Sequence, residues 1–212
     1  MEQFDAKYID KELGEIGRRV KKQIDIYLIG GCAMSFRGLK ESTKDVDIVL
    51  RDAKSFEAFC DALFGAQYAD AELVKIIGEY RNLEAAKMFE NKDKFHLDLF
   101  VGRVCGKMKL SDAMAGRAEF YRTYGHMSIY LIAKEDIFLF KSLASEGRKR
   151  DLDDMRVIYP NLDWKTMEKE LEAQRFEKEL LEHMVKRFEE FRRVHDLDVP
   201  ILASIKKKIG KR

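Results

Sequence analysis

The stretch Tyr27–Leu50, YLIGGCAMSFRGLKESTKDVDIVL, decides how this chain is read. It opens with an apolar run that ends at two glycines, Gly30 and Gly31. A short amphipathic segment follows and stops near Gly38. The stretch closes on KDVDIVL, where Asp45 and Asp47 interrupt a run that otherwise reads as a buried strand. Alternate residues of a strand share a face. Asp45 and Asp47 are therefore expected side by side on one face, with Val46, Ile48 and Leu50 turned to the core. Two carboxylates held this close repel unless a cation lies between them.

Further along, KFHLDLFVG (residues 94–102) repeats the pattern. Phe95, Leu97 and Leu99 share one face, and His96 and Asp98 share the other. A strand carrying Asp98 beside the strand carrying Asp45 and Asp47 gathers three carboxylates at one spot. Hard oxygen ligands in that number suit Mg²⁺ or Mn²⁺, which keep part of their water and bind substrate phosphates. The glycines fit the same chemistry. With no side chain at Gly30 or Gly31, backbone comes close to a phosphate, and amides at a helix start favour an anion.

A Gly-Gly turn, a helix, Asp-x-Asp on the next strand and a third acidic residue on a later strand is a pattern that resembles the nucleotidyltransferase superfamily, which includes DNA polymerase β and kanamycin nucleotidyltransferase. The resemblance implies an α/β (α+β) fold with a small mixed sheet flanked by helices. It implies transfer of a nucleotidyl group from an NTP, with Asp45, Asp47 and Asp98 as catalytic metal ligands for Mg²⁺ or Mn²⁺ and Gly30 and Gly31 against the triphosphate. The chain departs from the superfamily at Cys32, where many members carry Ser or Thr. A second block, DIFLFKSLASEGRKRDLDDM, resembles the tail motif of minimal prokaryotic nucleotidyltransferases of the abortive-infection toxin type. Carried over, that motif assigns Lys141, Arg150, Asp151 and Asp154 to NTP binding. In helical projection Lys141 falls at the border of an apolar face, between Ile137 and Phe138.

The rest of the chain sets the frame. Its 212 residues are 46% hydrophobic and 37% charged, with a net charge of only +2, so bulk charge does not announce a nucleic-acid binder. Cys32, Cys60 and Cys105 are widely spaced and odd in number, and read as reduced thiols. No apolar run reaches membrane-spanning length and the N-terminus shows no signal-peptide core, so the expectation is a soluble, cytoplasmic protein without a membrane partner.

The spacing predicts a helix over 3–23, a helix over DAKSFEAFCDALFG, and a strand AAKMFE paired with KFHLDLFVG. It also predicts a short helix over LSDAMAGRAEF and a strand or strand pair in YGHMSIYLIA. From about residue 133 the period is helical to the end. Two helices are expected on either side of Gly147, then sustained helical spacing from Met167 to Phe191, then a short helix over 199–209. The expected organisation is a nucleotidyltransferase-like core over 1–132 and a helical region over 133–212 packed on it. The acceptor of the nucleotidyl group, tRNA, another RNA, a protein or a small molecule, is open, as is a place in a toxin–antitoxin pair. The alternative from another class is a nucleotide-binding or protein-interaction module without catalysis.

Overall fold

The computed structural model describes residues 3–70 and 87–210. The elements run β1 (Phe4–Asp5), α1 (Ala6–Gly17), β2 (Ile24–Leu28), α2 (Gly30–Phe36), β3 (Ser42–Thr43), β4 (Asp45–Leu50), α3 (Ala53–Gly65) and β5 (Ala69–Asp70). They continue with β6 (Lys87–Glu90), β7 (His96–Val101), β8 (Arg103–Val104), β9 (Met108–Lys109), α4 (Asp112–Arg117), β10 (Glu119–Tyr124) and β11 (Met127–Leu131). The chain ends in α5 (Lys134–Lys141), α6 (Lys149–Ile158), α7 (Trp164–Ala173), α8 (Lys178–His195) and α9 (Ile201–Gly210). This is a mixed α/β fold followed by helices. Two compact units divide it, one of Met1–Gly106 with Leu110–Ile132, the other of Lys107–Lys109 with Ala133–Arg212.

The first unit is built on a mixed sheet of seven strands in the order β10-β11-β2-β4-β7-β6-β5. β2 runs antiparallel to β4, and β4 runs parallel to β7. The strand sequences explain the burial. Val46, Ile48 and Leu50 of β4 and Leu97 and Leu99 of β7 are fully buried, as the alternation requires. Side chains cap several helix starts. The Asp52 carboxylate accepts from Ser55 N at 2.9 Å at the head of α3, and the Ser111 hydroxyl accepts from Met114 N at 3.0 Å at the head of α4.

Three element boundaries differ from the sequence expectation. The helix predicted over 3–23 is α1 alone. Phe4 and Asp5 are extended and pair with Thr43 and Ser42, and Asp5 in that conformation caps the helix by accepting from Tyr8 N at 2.8 Å. The helix predicted through Phe120 stops at Arg117, because Glu119 and Phe120 pair with Leu131 and Tyr130 in β11. The run from Met167 to Phe191 is two helices. Between them Gln174 leaves helical geometry and its amide bonds both sides of the Lys109 backbone, at 3.0 and 2.9 Å. Ala85 and Ala86 of the predicted strand lie outside the described residues; Lys87–Glu90 form β6 and pair antiparallel with β7 as expected.

The second unit is centred on Phe138. Its ring meets Trp164, Phe188 and Phe191 at centroid distances of 5.5, 5.6 and 5.6 Å. Gly147, at φ +82°, makes the break between α5 and α6.

Candidate functional site

Parallel pairing of β4 with β7 sets Asp45 opposite His96 and Asp47 opposite Asp98. Neighbouring strands lie about 4.8 Å apart, and residues i and i+2 about 6.6 Å apart along a strand. The three aspartates thus occupy one patch on one face of the sheet. Asp98 is 1% exposed, whereas Asp45 and Asp47 are half-buried at the strand's opening end. Among the described residues, no group of three or more His, Cys, Asp or Glu side chains is arranged to hold a metal ion. The three aspartates offer oxygen donors only, at neighbouring positions of the register. That fits a hard divalent cation that keeps waters and shares a substrate's phosphates, which takes only one or two carboxylates directly.

The glycine turn faces this patch. Ile29 N donates to Asp47 O at 3.1 Å, which joins the end of β2 to β4. Gly30 has φ +59°, and a Cβ there would lie 2.5 Å from Asp47 Oδ2. The Asp47 carboxylate therefore rests in the space a side chain would fill, and only glycine permits both the backbone conformation and the approach. Helix α2 starts at this residue. A Cβ on Gly31 would lie 2.8 Å from Thr43 Oγ1 and 3.4 Å from Lys40 Nζ. A hydroxyl and an ammonium thus stand at the turn. The Thr43 hydroxyl also donates to Asp45 O at 3.1 Å.

Cys32 sits in α2 and is fully buried. Burial, and then the nearby Asp47 charge, push its thiol well above the usual cysteine range. Both effects favour the neutral thiol. His96 shares the face of Asp98, and its Nε2 lies 3.0 Å from Glu90 Oε2 on β6.

Comparison with known proteins bears on the fold. No family model matches the chain, and no curated protein matches it by sequence. Among solved structures it is similar to ANT(2″)-Ia in complex with adenylyl-2″-tobramycin, with a TM-score of 0.50 and 12% identity, covering 79% of this chain and 95% of that one. The chain has a nucleotidyltransferase fold. It is also similar to an H. pylori protein assigned as a nucleotidyltransferase, with a TM-score of 0.41 and 15% identity, covering 97% of this chain and 96% of that one. Among the described residues, no helix is long and apolar enough to cross a membrane.

The downstream motif folds within the second unit. Lys141 ends α5 and is 8% exposed. Its Nζ lies 2.9 Å from Asp151 Oδ1 and 2.7 Å from Asp154 Oδ2, both on α6. Arg148 Nε adds a contact of 2.7 Å to Asp151 Oδ2. Burial alone would lower the lysine's pKa, but the two aspartates more than offset it and hold the ammonium charged. Burial likewise pushes Asp151 up, and Lys141 and Arg148 outweigh it and keep the carboxyl below its ordinary range. Lys141 is thus a buried ion-pair centre, not a border lysine reaching for water. Arg150, on the same helix, is exposed.

The register sets Asp45, Asp47 and Asp98 on one face, as the alternation predicts, and Gly30 lies against Asp47. The sequence reading did not single out Lys40 and Thr43, whose place beside Gly31 depends on how the loop after α2 folds back. The threonine two residues ahead of Asp45 was the available signal.

Proposed function

We propose that this protein is a metal-dependent nucleotidyltransferase that moves NMP from an NTP to an acceptor hydroxyl. The observation that carries the reading is the in-register placement of Asp47 and Asp98, with the Asp47 carboxylate seated against Gly30. Asp45, Asp47 and Asp98 would hold Mg²⁺ or Mn²⁺, which when bound neutralises charge on the reacting phosphate. The Gly30–Gly31 turn brings backbone to the triphosphate. Asp98 helps activate the acceptor. The acceptor oxygen attacks the α-phosphorus, the bond to the β-phosphate oxygen breaks, pyrophosphate leaves, and the hydroxyl proton passes to the surrounding carboxylates and water. A part for Lys141, Arg150, Asp151 and Asp154 in NTP binding rests on the motif resemblance. So does action as the toxin of a toxin–antitoxin pair. RNA such as tRNA, a protein or a small molecule is the acceptor class to search, and a cytoplasmic setting fits all three.

The test supplies each NTP, labelled on the α-phosphate, with Mg²⁺ and either total RNA or lysate. Label is expected on one acceptor class, and Asp98→Ala should retain most NTP affinity while losing transfer by a factor on the order of a thousand, as when a transition-state contact is removed. NTP binding without transfer to any acceptor would instead make the protein a binding module.

A further inference from the structure

The loop that carries Lys40 and Thr43 is held from one side by the first residues of the chain. Phe4 pairs with Thr43 and Asp5 with Ser42, as a two-stranded antiparallel ribbon outside the main sheet. The Ser42 hydroxyl donates to Gln3 Oε1 at 2.6 Å. Phe4 is 8% exposed, and its ring meets Phe95 edge-on at 4.9 Å and Tyr8 at 4.7 Å. Phe95 is fully buried, and directly precedes His96 at the start of β7, the strand of Asp98. Asp5 is fixed in turn by capping α1. One short segment therefore ties together the head of α1, the start of β7 and the loop ahead of Asp45.

We propose that β1 is a strap, anchored by Phe4, that sets nucleotide affinity by holding the Lys40–Thr43 loop against the Gly30–Gly31 turn. The inference rests on the reading of this turn as the triphosphate site. Two paired residues make a weak ribbon on their own, so the Phe4 ring supplies most of the hold. With the ring removed, β1 peels and the loop spends most of its time away from the turn. Affinity then falls by the fraction of molecules still strapped, while the strapped molecules bind as before. Phe4 acts through Lys40 and Thr43, as a positioning residue.

Titration calorimetry with ATP, GTP, CTP and UTP, each with Mg²⁺, provides the test. Phe4→Ala should weaken the tightest NTP by about tenfold, as expected for a strap closed about one time in ten. The binding stoichiometry should match that of the parent, and Phe4→Leu should recover most of the affinity. A reduced stoichiometry at unchanged affinity means that Phe4 only keeps the protein folded, and overturns the strap. Linkage gives a second measurement that needs no variant. If the strap favours nucleotide, nucleotide must favour the strap by the same factor. Saturating NTP with Mg²⁺ should then slow amide hydrogen exchange of parent protein at residues 3–5 and 42–43. Unchanged exchange there overturns the proposal, whatever Phe4→Ala does. A parent that binds no NTP refutes both the site and the strap; a parent that binds NTP no better than Phe4→Ala refutes the strap alone.

Discussion

Lys141→Met removes one ammonium from a buried cluster and keeps most of the side-chain volume. The parent lysine contacts two carboxylates at 2.9 and 2.7 Å, whose side chains are only 10% and 13% exposed. Breaking a buried pair by deleting one partner costs about 3–5 kcal/mol, chiefly because the remaining charge stays out of water. Arg148 still faces Asp151 in the variant, and its side chain is 41% exposed. The expected loss is therefore at the low end, about 3 kcal/mol. For a chain of this size that corresponds to a fall in Tm of about 6–12 °C. Trp164, the sole tryptophan, stacks edge-on against Phe138 in the second unit, so its fluorescence in urea follows the unfolding of that unit. The triple variant Lys141→Met, Asp151→Asn, Asp154→Asn should recover most of the loss, since no buried charge is then left without the lysine. A border lysine would predict the opposite, little loss or a small gain. Lys141→Met within about 0.5 kcal/mol of the parent would refute the buried cluster.

Three further outcomes follow from the geometry. Mn²⁺ or Mg²⁺ with NTP should raise the parent's Tm, because a ligand bound only by the folded state stabilises it, and Asp47→Asn should abolish the gain without changing the fold by circular dichroism. Gly30→Ala should lower stability by about 1–2 kcal/mol from the left-handed backbone alone, and the clash with Asp47 should also remove the NTP-induced Tm gain; a variant with parental gain would misplace the turn. Asp151 has a lowered carboxyl pKa, so its contribution is present above the ordinary aspartate value and is lost as pH falls from there through its lower value in the folded protein; urea stability followed at Trp164 should drop more steeply with acid in the parent than in Asp151→Asn.

What the sequence disclosed followed from periodicity. Period-two alternation located β4 and β7 and put the three aspartates on shared faces, because a strand offers its residues only two directions. Gly147 marked the break between two helices through local chemistry that needs no tertiary partner. The misses were all settled by distant partners. Phe4 has helical spacing with Tyr8, but Thr43, far along the chain, draws it into a ribbon. Gln174 sits in a helical pattern, but the Lys109 backbone offers it two hydrogen bonds. Lys141 projects to the edge of an apolar stripe, yet a turn at Gly147 folds Asp151 and Asp154 back onto it. In each case the pattern along the chain was silent about the distant partner.

Under the proposed function, the one departure from the resembled motif, Cys32, is accounted for by the same kind of long-range placement. A hydroxyl at position 32 would be fully buried in α2 and would need a partner there to offset its desolvation. A thiol tolerates that site as a small apolar group, and burial with the Asp47 charge keeps it neutral. The hydroxyl beside the glycines comes instead from Thr43, on the far side of the loop, with its oxygen 2.8 Å from the point a Gly31 Cβ would occupy. Lys40 arrives on the same loop. Hydroxyl and cation are thus carried on a segment that β1 holds down, not on the helix itself. A turn assembled this way depends on the strap in a manner that one with its hydroxyl fixed in α2 would not. The cysteine and the N-terminal ribbon are on this account two sides of one arrangement: Cys32→Ser should leave NTP affinity unchanged, whereas Thr43→Val should weaken it even with the strap intact. Calorimetry on both variants decides the matter, and a gain in affinity for Cys32→Ser would show that the hydroxyl is missing from position 32 after all.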